Sequence, residues 1–286
     1  MTHHVILDTD IGSDVDDALA LGVLLGSPEV ELVGVTTVYG DTTLRARLAS
    51  RLARLAGREI TVVPGESETL TGRDVWWAGH EGKVFDDLAD EPVSTVDGVR
   101  FLVDTLLSRP GEIDLVAIGP LTNVARAIRA DERFAGALRH LYVMGGRFDR
   151  ADPEHNFRSD PEAADIVYSA GIGSTTTGLE VTQTVQLAAD GVERIAAAGA
   201  FGAALKAEIA QWWRFNGEQW NTPHDPLTVL TMLTGDLFEY ATGTVTVDPG
   251  DGISRLTEGA GTARVSTSVR VGDAAEQMIA RIVAAS

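Results

Sequence analysis

Val5-Ile6-Leu7-Asp8-Thr9-Asp10-Ile11-Gly12-Ser13-Asp14-Val15-Asp16-Asp17-Ala18-Leu19-Ala20-Leu21 sets a short apolar run directly before five aspartates that fall within ten residues. The apolar lead reads as a buried parallel strand, and residues 18–25 as the start of a helix. Carboxylates placed after a strand and before a helix occupy the edge where open α/β sheets bind their ligands. The helix dipole, worth about half a charge, cannot neutralise five of them. A helix cap needs one aspartate, so capping does not account for the run. Crowded carboxylates raise one another's pKa, and a cation relieves that. With oxygen ligands alone, the ion expected is hard, Ca²⁺ or Mg²⁺.

Outward from this stretch, strand-like and helix-like segments alternate. Strands are expected at 31–37, 60–63, 113–118 and 138–144, and helices at 42–56, 95–108 and 121–130. Short connections between them argue for a parallel sheet covered on both faces, an α/β fold. No repeat, low-complexity tract or charged linker divides the chain, so residues 1–286 read as one domain. Beyond residue 240 the pattern changes to two antiparallel strands with turns, a small antiparallel addition, and a closing amphipathic helix at 273–285.

Composition narrows the function. The 286 residues carry a formal charge of −19, with a pI near 4.6, which disfavours nucleic acid and acidic membranes as partners. The absence of cysteine excludes thiol catalysis and zinc–thiolate sites. No signal-peptide or membrane-spanning run is evident, so a soluble cytoplasmic protein is expected.

Four further stretches place polar groups near strand ends. Gly119-Pro120-Leu121-Thr122-Asn123 is a strand-to-helix turn. Trp76-Trp77-Ala78-Gly79-His80-Glu81-Gly82 is a loop with two aromatics and an imidazole. Glu154-His155-Asn156-Phe157 follows the Gly145-Gly146 turn and precedes Asp160-Pro161-Glu162-Ala163-Ala164. Pro223-His224-Asp225-Pro226 leads an apolar helix, where Asp-Pro also suits a helix start.

Taken in order, these motifs resemble the inosine–uridine-preferring nucleoside hydrolases, calcium-dependent N-ribohydrolases, over roughly residues 4–235. The aspartate run matches the family's DxDxGxDD in a longer DxDxGxDxDD form. The resemblance implies a Rossmann-like single domain and Ca²⁺ held by Asp10, Asp17, Asp225 and the carbonyl of Thr122, with Asp8 in support. Asp10 would be the general base. Asp16 would bind the ribose diol, a place that Asp14 could take because the motif is longer. Glu154 and Asn156 look like hydroxyl-binding residues, and His224 and His80 match positions near the leaving base, with His224 the better proton donor. Trp76, Trp77 and Gln183 are further substrate-side residues, and Trp212-Trp213 suits either base stacking or an interface. Asp41 and Gln183 stand where many members have Asn and His, and an upstream Asn for the 5′-hydroxyl has no clear counterpart. The resemblance also implies a homodimer or homotetramer.

The chemistry fits the residues. N-glycoside cleavage passes through an oxocarbenium-like cation that carboxylates stabilise. Irregular oxygen ligation favours Ca²⁺ over Mg²⁺. No basic phosphate cradle accompanies the motifs, so water is the expected nucleophile and free nucleosides the expected substrates. Two alternatives stand beside this reading: a calcium-bound nucleoside- or ribose-binding protein without turnover, and a Mg²⁺-dependent aspartyl phosphohydrolase, which would need a lysine this chain does not place.

Overall fold

The computed structural model describes residues 2–285. Its strands are β1 (His3–Thr9), β2 (Val30–Thr37), β3 (Val62–Pro64), β4 (Ile113–Ala117), β5 (His140–Met144), β6 (Ser174–Thr177), β7 (Phe238–Val247), β8 (Ser254–Glu258) and β9 (Ala263–Val269). They form one sheet in the order β3-β2-β1-β4-β5-β6-β9-β7-β8. All pairs from β3 to β9 are parallel. The pairs β9-β7 and β7-β8 are antiparallel. The C-terminal addition is therefore three strands rather than two, and β9 ties it to the main sheet through β6.

The first six helices are α1 (Asp16–Leu25), α2 (Thr42–Leu55), α3 (Gly98–Ser108), α4 (Thr122–Ala130), α5 (Phe134–Ala137) and α6 (His155–Ser159). The rest are α7 (Pro161–Ser169), α8 (Leu179–Thr182), α9 (Ala189–Ala196), α10 (Ala200–Asn216), α11 (His224–Leu233) and α12 (Val271–Ala284). Among the described residues no helix is long and apolar enough to cross a membrane.

Successive residues of β1 serve opposite faces, as a pleated strand requires. Val5 and Leu7 join a core with α1, α2 and α9–α12. Ile6 joins the other core, with α3, α4, α5 and α7. Both faces are covered, so β1 reads as continuous apolar sequence rather than an alternating one.

The chain runs outward from β1 to β2 and β3, then returns past β1 to β4, β5 and β6. The order reverses between β1 and β4, and such switch points open a crevice at the strands' C-terminal ends. Asp8 of β1 pairs in register with Ala117 of β4, which places the aspartate run at that crevice. The turn after β4 comes so close that a Cβ on Gly119 would meet Asp10 Oδ1 at 2.8 Å. Glycine is required there.

Candidate active site

A cavity of about 770 Å³ opens over this crevice, and Asp10, Asp14, Asp16, Asp17 and Asp225 form its acidic floor. Asp16 and Asp17 occupy the first turn of α1. Asp225 sits in the first turn of α11, which packs against α1. The carboxylates of Asp16, Asp17 and Asp225 each bring an oxygen within 4.8 Å of the others, and all three residues are buried. Removal from water holds each well above the usual carboxylate range, and the neighbouring acids push the same way. Asp14 is pushed up to about 7 by burial first and by Asp17 and Asp10 after it. Asp10 is also raised by burial, against the opposing charges of Arg45 and His155.

The floor is fixed by bonds below it. Asp17 Oδ1 accepts from the Thr9 hydroxyl. Asp8 lies beneath the cavity, where its Oδ1 accepts from Thr36 Oγ1 at 2.5 Å and from Asn123 Nδ2 at 2.7 Å. Burial pushes its carboxyl up to about 7.

Arg45 of α2, fully buried, reaches under the aspartate loop. It donates to the carbonyls of Asp10, of Ile11 at 2.9 Å and of Tyr39 at 2.7 Å. Tyr39 is a non-glycine residue with φ of 68°, a conformation that persists only where neighbours hold it.

Glu154 caps α6 and accepts from the backbone N–H groups of Asn156, Phe157 and Gly146. Burial raises its pKa. Asn156 spends its amide N–H donors on the carbonyls of Ile118 and Met144, so its side-chain oxygen remains an acceptor. His224 Nδ1 lies 2.7 Å from Thr182 Oγ1, and desolvation pushes its imidazole down to about 4.

Of the residues singled out by sequence, Asp10, Asp14, Asp16, Asp17, Trp76, Glu154, Asn156, Gln183, Trp212, His224 and Asp225 line the cavity. Asp8 beneath it and Trp213, whose indole N–H donates to Asn221 at 2.6 Å, do not, and neither do four others. Thr122 starts α4, and its hydroxyl donates to Asp160 at 2.7 Å. Asp41 points away as the N-cap of α2, accepting from Leu44 N–H at 2.9 Å. Trp77 lies under the Arg45 guanidinium, 4.8 Å from it. His80 donates from Nε2 to the Ser13 carbonyl at 2.8 Å. The close carboxylate trio contains Asp16 rather than Asp10.

These features make an acidic cavity suited to a cation and a polar ligand, and comparison decides the family. The family model described as inosine-uridine preferring nucleoside hydrolase matches residues 5–279. The chain belongs to that family. It is an N-ribohydrolase, acting on the N-glycosidic bond of ribonucleosides. The family is metal-dependent, and the Asp16–Asp17–Asp225 trio is the candidate position for the ion.

A probable uridine nucleosidase 2 of Arabidopsis thaliana is 34% identical, over 88% of this chain and 83% of its own length. A solved plant nucleoside hydrolase superposes with a TM-score of 0.88 at 28% identity, covering 99% of both chains. A purine-preferring ribonucleoside hydrolase from Gardnerella vaginalis gives 0.85 at 25% identity, over 99% of this chain and 98% of its own.

The cavity of this nucleoside hydrolase is also lined by residues given no role by the sequence, Tyr39, His155 and Arg147. Glu81 is buried and accepts from Ser13 Oγ and from the N–H groups of Ala78 and Gly79, which fastens the aromatic loop to the aspartate loop. Its place inside the aromatic stretch was visible in the sequence, but its partner Ser13, 68 residues away, was not.

Proposed function

We propose that the chain is a calcium-dependent hydrolase of uridine and related ribonucleosides, releasing free base and ribose in nucleoside salvage or catabolism. It would act as a cytoplasmic homo-oligomer, as the family resemblance implies. The observation that carries this reading is the trio of buried carboxylates at the base of a nucleoside-sized cavity, with Asp10 beside it. An oxygen-only donor set without thiolate or imidazole suits a hard ion, and mixed carboxylate ligation suits Ca²⁺. Asp16, Asp17 and Asp225 would hold it, with Asp10 beside them; the Thr122 carbonyl that the family resemblance implies belongs to a residue outside the cavity lining. When bound, the ion supplies fixed positive charge that orients water and sugar hydroxyls at the floor.

The chain's own groups do the rest. The Asp10 carboxylate takes the proton of the attacking water. Asn156 presents its side-chain oxygen to sugar hydroxyls, since its amide N–H donors are already engaged, and Glu154, whose two oxygens accept backbone N–H groups, offers their remaining lone pairs. The surrounding carboxylates stabilise positive charge as it grows on C1′ and the ring oxygen. Uridine is the named substrate of the Arabidopsis relative, and the dimensions of the fold do not by themselves select a base, since a purine-preferring enzyme shares it.

The test is release of uracil and ribose from uridine, with and without a chelator, followed by re-addition of calcium or zinc. Turnover lost to the chelator and restored by calcium supports the reading. Tight uridine binding without turnover in calcium would make the protein a nucleoside-binding module instead.

A further inference from the structure

The aromatic loop is seated on a turn, Tyr39-Gly40, that follows β2 almost directly. Both residues have positive φ, 68° and 82°. Glycine adopts such a backbone freely, and position 40 has no room for more, because a Cβ there would meet the Trp77 ring at 2.8 Å. A tyrosine at position 39 is strained, and strain of this kind persists only where surrounding contacts hold it. Those contacts run in three directions. The Tyr39 N–H donates to the Glu66 carbonyl at 2.8 Å. Its carbonyl accepts from Arg45 Nε at 2.7 Å, and the same guanidinium holds the carbonyls of Asp10 and Ile11. Its phenol oxygen accepts from the Trp76 backbone N–H at 2.8 Å.

The turn therefore joins two walls of the cavity. Through its carbonyl, Tyr39 meets the guanidinium beneath the aspartate floor. Through its phenol it fixes the main chain of Trp76, whose residue lines the same cavity. Trp76 is 44% exposed, so its indole is apolar surface that a bound ligand can remove from water. A glycine at position 39 would relieve the strain and still offer its carbonyl to Arg45. Only the side chain supplies the acceptor for Trp76. The turn calls for glycine, and the loop calls for the phenol.

We propose that Tyr39 is a positioning residue that sets how tightly the substrate is retained, by holding Trp76 in the cavity wall. This rests on the hydrolase reading above. The Tyr39 hydroxyl takes no part in bond breaking. It fixes where the main chain of residue 76 runs, and the indole follows. Without that hydrogen bond the indole swings away and a bound nucleoside loses apolar cover. The aspartate floor keeps its geometry, because Arg45 holds it through backbone carbonyls that the phenol does not touch. Ground state and transition state then lose the same contact, so KM rises while kcat stays.

The experiment is a double-mutant cycle on uridine turnover in calcium, with wild type, Tyr39→Phe, Trp76→Ala and the double variant. Tyr39→Phe keeps the ring and removes the acceptor. Its KM should rise about 3- to 10-fold, the scale of one net hydrogen bond, with kcat changed less than about twofold. Trp76→Ala should raise KM at least as much. Adding Tyr39→Phe to it should raise KM no further, since no indole is left to hold, and that non-additivity marks action through Trp76. Should Tyr39→Phe fail to fold, Tyr39→Asn tolerates the positive φ, lacks the phenol, and should give the same rise and the same absence of effect in the Trp76→Ala background. Additive changes, an unchanged KM in either single variant, or a fall in kcat at constant KM would overturn the proposal. Wild-type protein inactive on uridine would instead overturn the hydrolase reading, and this proposal with it.

Discussion

Replacing Arg45 with Met tests what keeps the catalytic loop in shape. Arg45 is 0% exposed, and its guanidinium serves three backbone carbonyls and the Ser13 hydroxyl at 3.3 Å. No carboxylate pairs with it directly. Instead its charge lowers the pKa of Asp10 and Asp17 through space. Arg45→Met fills most of the stem's volume but leaves those carbonyls without donors. An unsatisfied buried acceptor costs about 1–3 kcal/mol, so three would cost at most about 9. Water entering the vacated space reduces that, and about 3–5 kcal/mol is expected, the range seen when one partner of a buried charged contact is removed. At about 2–4 °C per kcal/mol for large domains, the melting temperature should fall by roughly 10 °C. Thermal unfolding of wild type, Arg45→Met and Arg45→Lys measures this, with turnover of p-nitrophenyl riboside by the folded protein as the second readout. Lysine keeps the charge but has no fork to span Tyr39 and Ile11, so it should recover stability only partly. kcat should fall more than tenfold in Arg45→Met while KM changes little, because the loop that carries Asp10 would move. A variant with unchanged melting temperature and kcat would refute the reasoning.

Asp10→Asn should reduce hydrolysis by 10²-fold or more while uridine binding stays measurable by calorimetry, since the amide keeps the shape and loses the base. A loss below about tenfold would mean that water is deprotonated without Asp10. Glu208 on α10 is 4% exposed with an unpartnered Oε1, and burial pushes it up to about 7 from 4.5. A carboxyl whose folded pKa is raised stays protonated in the folded chain while the unfolded chain ionises. Stability is therefore lost as pH rises from about 4.5 to about 7, by roughly 3 kcal/mol at 1.36 kcal/mol per pH unit. Glu208→Gln should be more stable than wild type at pH 8 and equal to it near pH 4. A constant difference across that window in chemical unfolding would contradict the assignment.

The parallel half of the sheet was legible because its strands are short apolar runs and its helices amphipathic. The position of the site was legible too, since five aspartates at a strand end have few structural uses. β6 gave no such signal. Its Ser174-Thr175-Thr176-Thr177 is polar yet wholly buried; two of its hydroxyls find partners on other elements, Thr175 with His140 at 2.9 Å and Thr176 with Tyr168 at 2.7 Å, while Thr177 Oγ1 has none among the described residues. The joining of β9 to β6 was hidden for the same reason, as a non-local pairing leaves no local pattern. Asp41 shows the converse. Beside a Tyr-Gly turn it could be read as facing the sugar, but its place before α2 makes it a cap. Arg45 carries no motif at all, and only the placement of α2 gives it meaning.

The crowded floor links stability to catalysis. The five aspartates of the floor and Glu154 form an environment that favours positive charge, which is what an oxocarbenium-like sugar needs. The same crowding is a burden in the free protein, because each buried carboxylate raises the others' pKa. Arg45 alone cannot balance them, and its fork is spent on backbone. A divalent cation held by Asp16, Asp17 and Asp225 would resolve both halves, letting the carboxylates stay ionised and supplying positive charge for sugar hydroxyls at the floor.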